Sequence, residues 1–211
     1  MKIHPKKSLG QNFLIDPNII SKIVNLGTIA ERESVLEIGP GTGNLTKQII
    51  KKKPNKIFLV EKDSLLIKNL KMSFKNKVTI YNNDILSFNE NNLTKEKLIV
   101  FGNLPYNIAT RILTKWILNT NLNFWYKKLI LMFQKDVADR IIAEADTKNY
   151  GRLSIISNWK LEVKKHFDVS KNCFFPKPKV QSSVLSFIPK ANFIKFKNPY
   201  NLEKVTRIFF S

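Results

Sequence analysis

The chain is poor in the residues that build disulfides and metal sites. Its single cysteine, Cys173, allows no internal disulfide, and its two histidines, His4 and His166, stand too far apart to suggest a ligand cluster. No apolar run approaches the roughly 20 residues needed to cross a bilayer. No basic amphipathic helix dominates the chain as a membrane-surface binder would require. The opening Met1-Lys2-Ile3-His4-Pro5-Lys6-Lys7 leads into polar residues and not into a signal-peptide core. The expectations are a cytoplasmic protein with no metal and no membrane partner.

Acids are also scarce. Lys and Arg number 36 against 16 Asp and Glu, a net charge of +20 and a sequence pI near 10.0. That excess exceeds what solubility needs, and nucleic acid is the simplest partner for it. Counterion release from a phosphate backbone would then supply much of the affinity. The preference for Lys over Arg, with many Asn and Ile, is also what an AT-rich genome produces, which discounts the charge argument without removing it.

What is present is enough apolar residue, 43% over 211 residues, to bury one sizeable core. Short β-type runs alternate with helical patterns, the signature of a parallel α/β sheet. The helix Asn18 to Leu26 starts at Asp16-Pro17, an acid suited to cap and a proline suited to the first turn. Strands are expected at residues 35–38, 57–60, 78–81, 98–101 and 129–133, with helices after Gly43, after Glu61 to about Phe74, and from Ala109 to Leu118. Beyond them the pattern predicts a helix from Asp136 to Ala145, an extended run from Ile155 to Val163, a proline-rich loop from Lys171 to Lys179, and a last strand from Ser183 to Ile188.

Gly39-Pro40-Gly41-Thr42-Gly43 lies between the first of these strands and its helix, where glycines permit a tight turn close to a ligand. Glu37 precedes it within the strand. Glu61 ends the next strand, 22 residues beyond Gly39, where a carboxylate can accept both ribose hydroxyls. Asp84 ends the third, where an acid can accept from an adenine amine. Either acid alone reads equally well as a loop acid or helix cap; both in register with the glycine turn favour a nucleoside ligand. Position 44 is Asn, so the three-glycine dinucleotide spacing is not met, and no Gly-Lys-Ser/Thr follows to make a P-loop. S-adenosylmethionine, a nucleoside without phosphate, fits better.

The fourth strand ends in Asn103-Leu104-Pro105-Tyr106. In isolation this is first an ordinary strand-to-helix turn. It also offers a neutral carbonyl acceptor on Asn103, a turn stiffened by Pro105 and a stacking face on Tyr106. Those parts can present the exocyclic amine of a base to an electrophile.

With both motifs in place the chain resembles the ribosomal RNA adenine N6,N6-dimethyltransferases. The likeness runs in order through Lys7-Ser8-Leu9-Gly10-Gln11-Asn12-Phe13-Leu14, Asn149-Tyr150-Gly151-Arg152-Leu153-Ser154 and Phe174-Phe175-Pro176-Lys177-Pro178-Lys179-Val180. It implies a Rossmann-like class I S-adenosylmethionine-dependent methyltransferase: α/β, a mostly parallel seven-stranded sheet with helices on both faces. Residues 1–190 would form that domain, and 191–211 the start of a small helical C-terminal domain. It implies cofactor contacts at Gln11, Asn12, Leu14, Gly39, Gly41, Glu61, Asp84 and Asn103. The target adenine would be held by Asn103, Leu104, Pro105 and Tyr106, with Phe174 as second aromatic in preference to Phe175. The implied substrate is 16S rRNA in the 30S ribosomal subunit, and the implied state a monomer.

Two rivals remain. An erythromycin-resistance type enzyme would methylate 23S rRNA; Leu104 and Tyr150-Gly151-Arg152-Leu153-Ser154 favour the small-subunit type. A non-catalytic ribosome-assembly or transcription factor would keep the fold without the activity, which the intact cofactor acids argue against. Cys173 reads as a buried thiol, His166 as a surface residue and Trp116, Trp125 and Trp159 as packing. Lys6, Lys7 and Arg152 are candidates for RNA contact, whereas Lys51-Lys52-Lys53 reads as a solvated charge run.

Overall fold

The computed structural model describes residues 5–6, 9–119 and 123–210. Lys7, Ser8 and Ser211 therefore lie outside the described residues. The chain opens with a two-residue strand, β1 (Phe13–Leu14), and the helix α1 (Pro17–Leu26). Asp16 caps α1 by accepting from the amides of Asn18 and Ile19, and Pro17 occupies the first turn, as expected. Ile20, Ile23 and Val24 form its buried stripe.

Alternating units follow: β2 (Ser34–Ile38), α2 (Asn44–Lys51), β3 (Lys56–Glu61), α3 (Ser64–Phe74), β4 (Thr79–Asn82), β5 (Leu98–Gly102), α4 (Tyr106–Asn119) and β6 (Tyr126–Gln134). Then come α5 (Lys135–Ile141), α6 (Arg152–Lys160), β7 (Leu161–Val169), β8 (Phe174–Phe175), β9 (Ser182–Pro189) and α7 (Tyr200–Phe209). The main sheet has seven strands in the order β4-β3-β2-β5-β6-β9-β7. β2 to β6 are mutually parallel, and β9 enters antiparallel between β6 and β7. β1 and β8 pair antiparallel as a separate ribbon, with Phe13 opposite Phe175 and Leu14 opposite Phe174.

Both faces of the sheet are covered over its centre, so β2, β3, β5 and β6 are buried almost throughout, whereas the edge strands β4 and β7 keep exposed polar positions. Side chains alternate: Leu36 and Val100 enter one core with Ile112 and Trp116 of α4, while Val35 and Phe101 enter the other with Val24 of α1 and Ile49 of α2. Each such side chain, fully withdrawn from water, stabilises the fold by roughly 1.5–3 kcal/mol. Strand order reverses at β2: the chain runs outward through β3 and β4, then returns to lay β5 on the other side. That switch point opens a crevice beyond the carboxyl ends of β2 and β5.

The second half departs from expectation. Residues 155–160, expected as extended, complete α6, and the strand starts only at Leu161. The buried face of α6 carries Ser154, Ser157 and Lys160 beside Ile156, so its helical period is written in small and polar residues and escapes a hydrophobic count. Likewise α5 ends at Ile141, short of Ala145, and the loop expected from Lys171 to Lys179 contains β8. His166, expected at the surface, is half-buried at an irregularity in β7, sharing a 2.8 Å hydrogen bond with Ser186 Oγ. Arg152 is not a free cation for RNA: its guanidinium meets Glu203 Oε1 at 2.6 Å and fastens α6 to α7. The three tryptophans pack, Trp116 edge-on against Trp125 and Trp159 against Phe193.

Candidate active site

Register places the site. Ile38 of β2 lies between Val60 of β3 and Gly102 of β5, so Gly39, Glu61 and Asn103 leave their strands at one level. Beyond them is a cavity of about 410 Å³. It is lined by all eight residues expected to contact the cofactor and by Asn103, Leu104, Pro105 and Tyr106 of the clamp.

Gly39 has φ +61°, and a Cβ built on it would meet nothing within 4 Å. The backbone there faces open cavity, a surface that a side chain would fill. Glu61 lines the same cavity beside the glycine turn and is almost wholly buried. Its Oε1 accepts from the amides of Lys62 and Asp63, both at 2.9 Å, and its Oε2 accepts from the Gly41 amide at 3.2 Å. Those three bonds fix the carboxylate and leave acceptor capacity for a hydroxyl. Burial raises its pKa above the ordinary carboxylate value, a rise the backbone donors oppose. Asp84 stands farther along, bound to Lys62 Nζ and to the Leu86 amide, both at 2.9 Å. The hydrogen bond from Lys62, helped by the Leu86 amide, holds its carboxyl below the usual range.

The clamp sits on the other side. Asn103 donates Nδ2 to the Asn12 carbonyl at 2.9 Å, which turns Oδ1 away, and Oδ1 takes no hydrogen bond among the described residues. The Pro105 carbonyl serves the first turn of α4, at Ile108 and Ala109. The Leu104 carbonyl has no hydrogen bond among the described residues. Tyr106 begins α4, its hydroxyl 2.7 Å from Ser182 Oγ, and burial raises its pKa. The ring is thereby fixed in place.

Phe174 is corrected by the structure. Its ring is 2% exposed in the core with Leu14, and it does not line the cavity; Phe175, beside it, is 57% exposed. Pairing with β1 gives the two rings opposite faces of a two-stranded ribbon, and the one facing the core is Phe174. Cys173 is a half-buried thiol whose pKa is raised by burial and by Asp16.

Three residues were missed as parts of the site, Asp63, Asn44 and Phe13, and Glu37 was noted beside the glycine turn without a role. Asp63 accepts from Lys6 Nζ at 2.9 Å and Gln11 Nε2 at 3.1 Å, tying the N-terminal segment over the end of β3. Burial alone would raise its carboxyl, yet these donors bring it below the ordinary value. Asn44, the residue that breaks the dinucleotide spacing, donates to the Leu14 carbonyl at 2.9 Å. Glu37 is buried at the cavity floor, takes a 2.6 Å bond from Thr46 Oγ1, and is pushed by burial up to about 8. Phe13 packs over Gly41, in contact with where a Cβ would stand. Of Asp63, Asn44 and Phe13, only Asp63 carried a signal of its own, as the acid directly before Ser64 that caps a helix start. Among the described residues no group of three or more His, Cys, Asp or Glu is placed to hold a metal ion, and no helix is long and apolar enough to cross a membrane.

A seven-stranded sheet with one reversed strand, a glycine turn and two strand-end acids around one cavity define a class I S-adenosylmethionine-dependent methyltransferase. The chain belongs to the ribosomal RNA adenine dimethylase family, whose model matches residues 3–211. It is 58% identical over its whole length to a Pelagibacter ubique (strain HTCC1062) protein named ribosomal RNA small subunit methyltransferase A, covering 80% of it. A Mycoplasmopsis synoviae (strain 53) protein of the same name is 46% identical over 97% of this chain and 76% of its own length. Among solved structures, a dimethyladenosine transferase from Plasmodium falciparum superposes with a TM-score of 0.76 at 32% identity. That match covers 84% of this chain, and the chain spans 63% of the Plasmodium one. The 23S rRNA methyltransferase ErmE superposes at 0.72 over 93% of this chain and 76% of its own, but at 24% identity, which shows the shared fold alone. The chain is thus an enzyme that methylates adenine in ribosomal RNA with S-adenosylmethionine.

Proposed function

We propose that this enzyme dimethylates N6 of two adjacent adenosines near the 3′ end of 16S rRNA, in the 30S subunit, as a cytoplasmic monomer. The small-subunit names of relatives up to 58% identical support that target. The observation that carries the site assignment is the Asn103–Asn12 bond, which commits the amide nitrogen and presents the amide oxygen.

The residues fit the cofactor. Gly39 leaves room at the turn, Glu61 keeps acceptor capacity for ribose, and Asp84 is held ionised to receive an adenine amine. When bound, S-adenosylmethionine supplies a methyl group made electrophilic by its sulfonium. The chain supplies the rest. Asn103 Oδ1 and the Leu104 carbonyl accept the two N6–H bonds of the target base, drawing its lone pair out of the ring. Preformed acceptors stabilise the positive charge that grows on nitrogen, and placement provides the proximity. No strong base is required, because the ammonium-like product loses its proton to water. Tyr106 gives a stacking face worth roughly 1–3 kcal/mol, against a few kcal/mol to extrude the base. Residues 191–211, with α7, read as the start of a further helical unit.

Tritium transfer from labelled cofactor to purified undermodified 30S and to 50S subunits tests the assignment. Label in 30S alone is expected. Label in 50S overturns it in favour of the 23S reading, and label in neither favours a non-catalytic factor.

A further inference from the structure

Beside the cavity lies a polar cluster that none of the motifs contains. The loop after β4 runs from Asp84 through a short turn to Glu90, and its Asp84, Ile85 and Leu86 line the cavity. Lys115, in the middle of α4, reaches across to it. Its Nζ donates to the Ile85 carbonyl at 3.0 Å, the Phe88 carbonyl at 2.7 Å and Glu90 Oε1 at 3.3 Å. An ammonium has three N–H donors, and all three are used on this one loop. Trp116 adds Nε1 to Glu90 Oε1 at 2.6 Å, and Glu90 is almost wholly buried. One turn earlier, Arg111 lines the cavity and faces Asp84.

These contacts connect two halves of the site through one rigid element. The helix that starts at Tyr106, with the amine clamp at its head, carries Lys115 two and a half turns on. A loop without regular structure of its own has unsatisfied carbonyls that must find partners when buried. Here a lysine from the clamp helix provides them.

We propose that Lys115 is a positioning residue that holds the Asp84–Glu90 loop in the shape that receives the adenine end of the cofactor. This rests on the assignment of Asp84 to that end. Lys115 touches neither base nor cofactor; it acts through the Ile85 and Phe88 carbonyls.

The test uses the full chain and a double variant, Lys115→Met with Glu90→Gln, which leaves no buried charge unpaired. Calorimetry with S-adenosylhomocysteine and steady-state kinetics are read together with the melting temperature. Cofactor binding should weaken roughly ten-fold, the scale on which an outer support tunes a bound group. KM for the cofactor should rise with it while KM for rRNA stays within two-fold (about the scatter of such measurements). Lys115→Arg, which keeps charge and donors, should recover most of the loss. A folded double variant with unchanged cofactor affinity overturns the proposal. Should the double variant not fold, Lys115→Gln carries the same comparison with the same two outcomes. Asp84→Ala is the separate control: unchanged cofactor affinity there would overturn the assignment of Asp84 itself, whatever Lys115 does.

Discussion

Asn103 and Asn12, 91 residues apart in sequence, are joined by a 2.9 Å bond from a side-chain nitrogen to a backbone carbonyl. The bond does two things at once. It closes the N-terminal segment over the cavity, and it fixes which end of the Asn103 amide faces a target amine. An aspartate in the same place would set a carboxylate against the Asn12 carbonyl and lose that orientation.

Asn103→Ala removes the acceptor and the tie together. A preorganised group of this kind contributes on the order of 10²–10³ in turnover. The variant should therefore lose at least about a hundred-fold in kcat with undermodified 30S, while its melting temperature changes by only a few degrees. Near-normal turnover would show that the amine is held elsewhere.

Much of this site was legible because its residues sit at strand ends, where sequence position nearly fixes spatial position. Gly39, Glu61, Asp84 and Asn103 each follow a recognisable apolar run, and parallel register brings those ends to one level. Asp63, Asn44 and Lys115 were not legible. Each acts through a contact to a backbone carbonyl or a distant side chain, and no periodicity records such a partner. The misread of α6 has a related cause: Ser154 and Lys160 are buried on hydrogen bonds instead of on apolar area, beside the small Ser157.

The two phenylalanines of β8 should respond oppositely. Phe174→Ala opens the core and should cost about 3–5 kcal/mol of stability. Phe175→Ala removes an exposed ring and should leave the melting temperature unchanged; a several-fold rise in KM for rRNA would place Phe175 against the RNA. If Phe174→Ala instead melts normally and loses kcat, the Phe174 ring leaves the core to meet the base.

Gly39 and Gly43 separate ligand space from packing space. Both have φ in the left-handed region, so alanine carries a backbone cost of roughly 1–2 kcal/mol at either. At Gly39 the added methyl enters the cavity; at Gly43 it stands 2.6 Å from the Phe74 ring. Gly39→Ala should therefore weaken S-adenosylhomocysteine binding with a small loss of stability. Gly43→Ala should lower the melting temperature further, by displacing α3 from the turn. Calorimetric titration beside thermal melts distinguishes them, and equal effects on both readouts at both sites would refute the distinction.

Glu37 makes stability depend on pH in a direction opposite to most carboxylates. Its pKa rises from 4.5 to about 8, chiefly because burial penalises the charged form, with Thr46 opposing and the Glu61 charge adding. Below pH 4.5 the folded and unfolded chains both hold the proton, and Glu37 contributes its full stability. Between 4.5 and 8 the folded chain keeps a proton that the unfolded chain releases, so raising the pH favours unfolding. Above about 8 the loss is complete and the profile levels. Glu37→Gln keeps an acceptor for Thr46 and removes the ionisation. The melting temperature of the variant minus that of the parent should therefore rise by several degrees between pH 5.5 and 8.5, a scale set by about 1 kcal/mol or more of lost stability. Taking the difference cancels the titrating groups that do not interact with Glu37; Glu61, which does, contributes to it. A flat difference would mean that Glu37 is ionised in the folded protein at neutral pH, stabilised by groups other than Thr46.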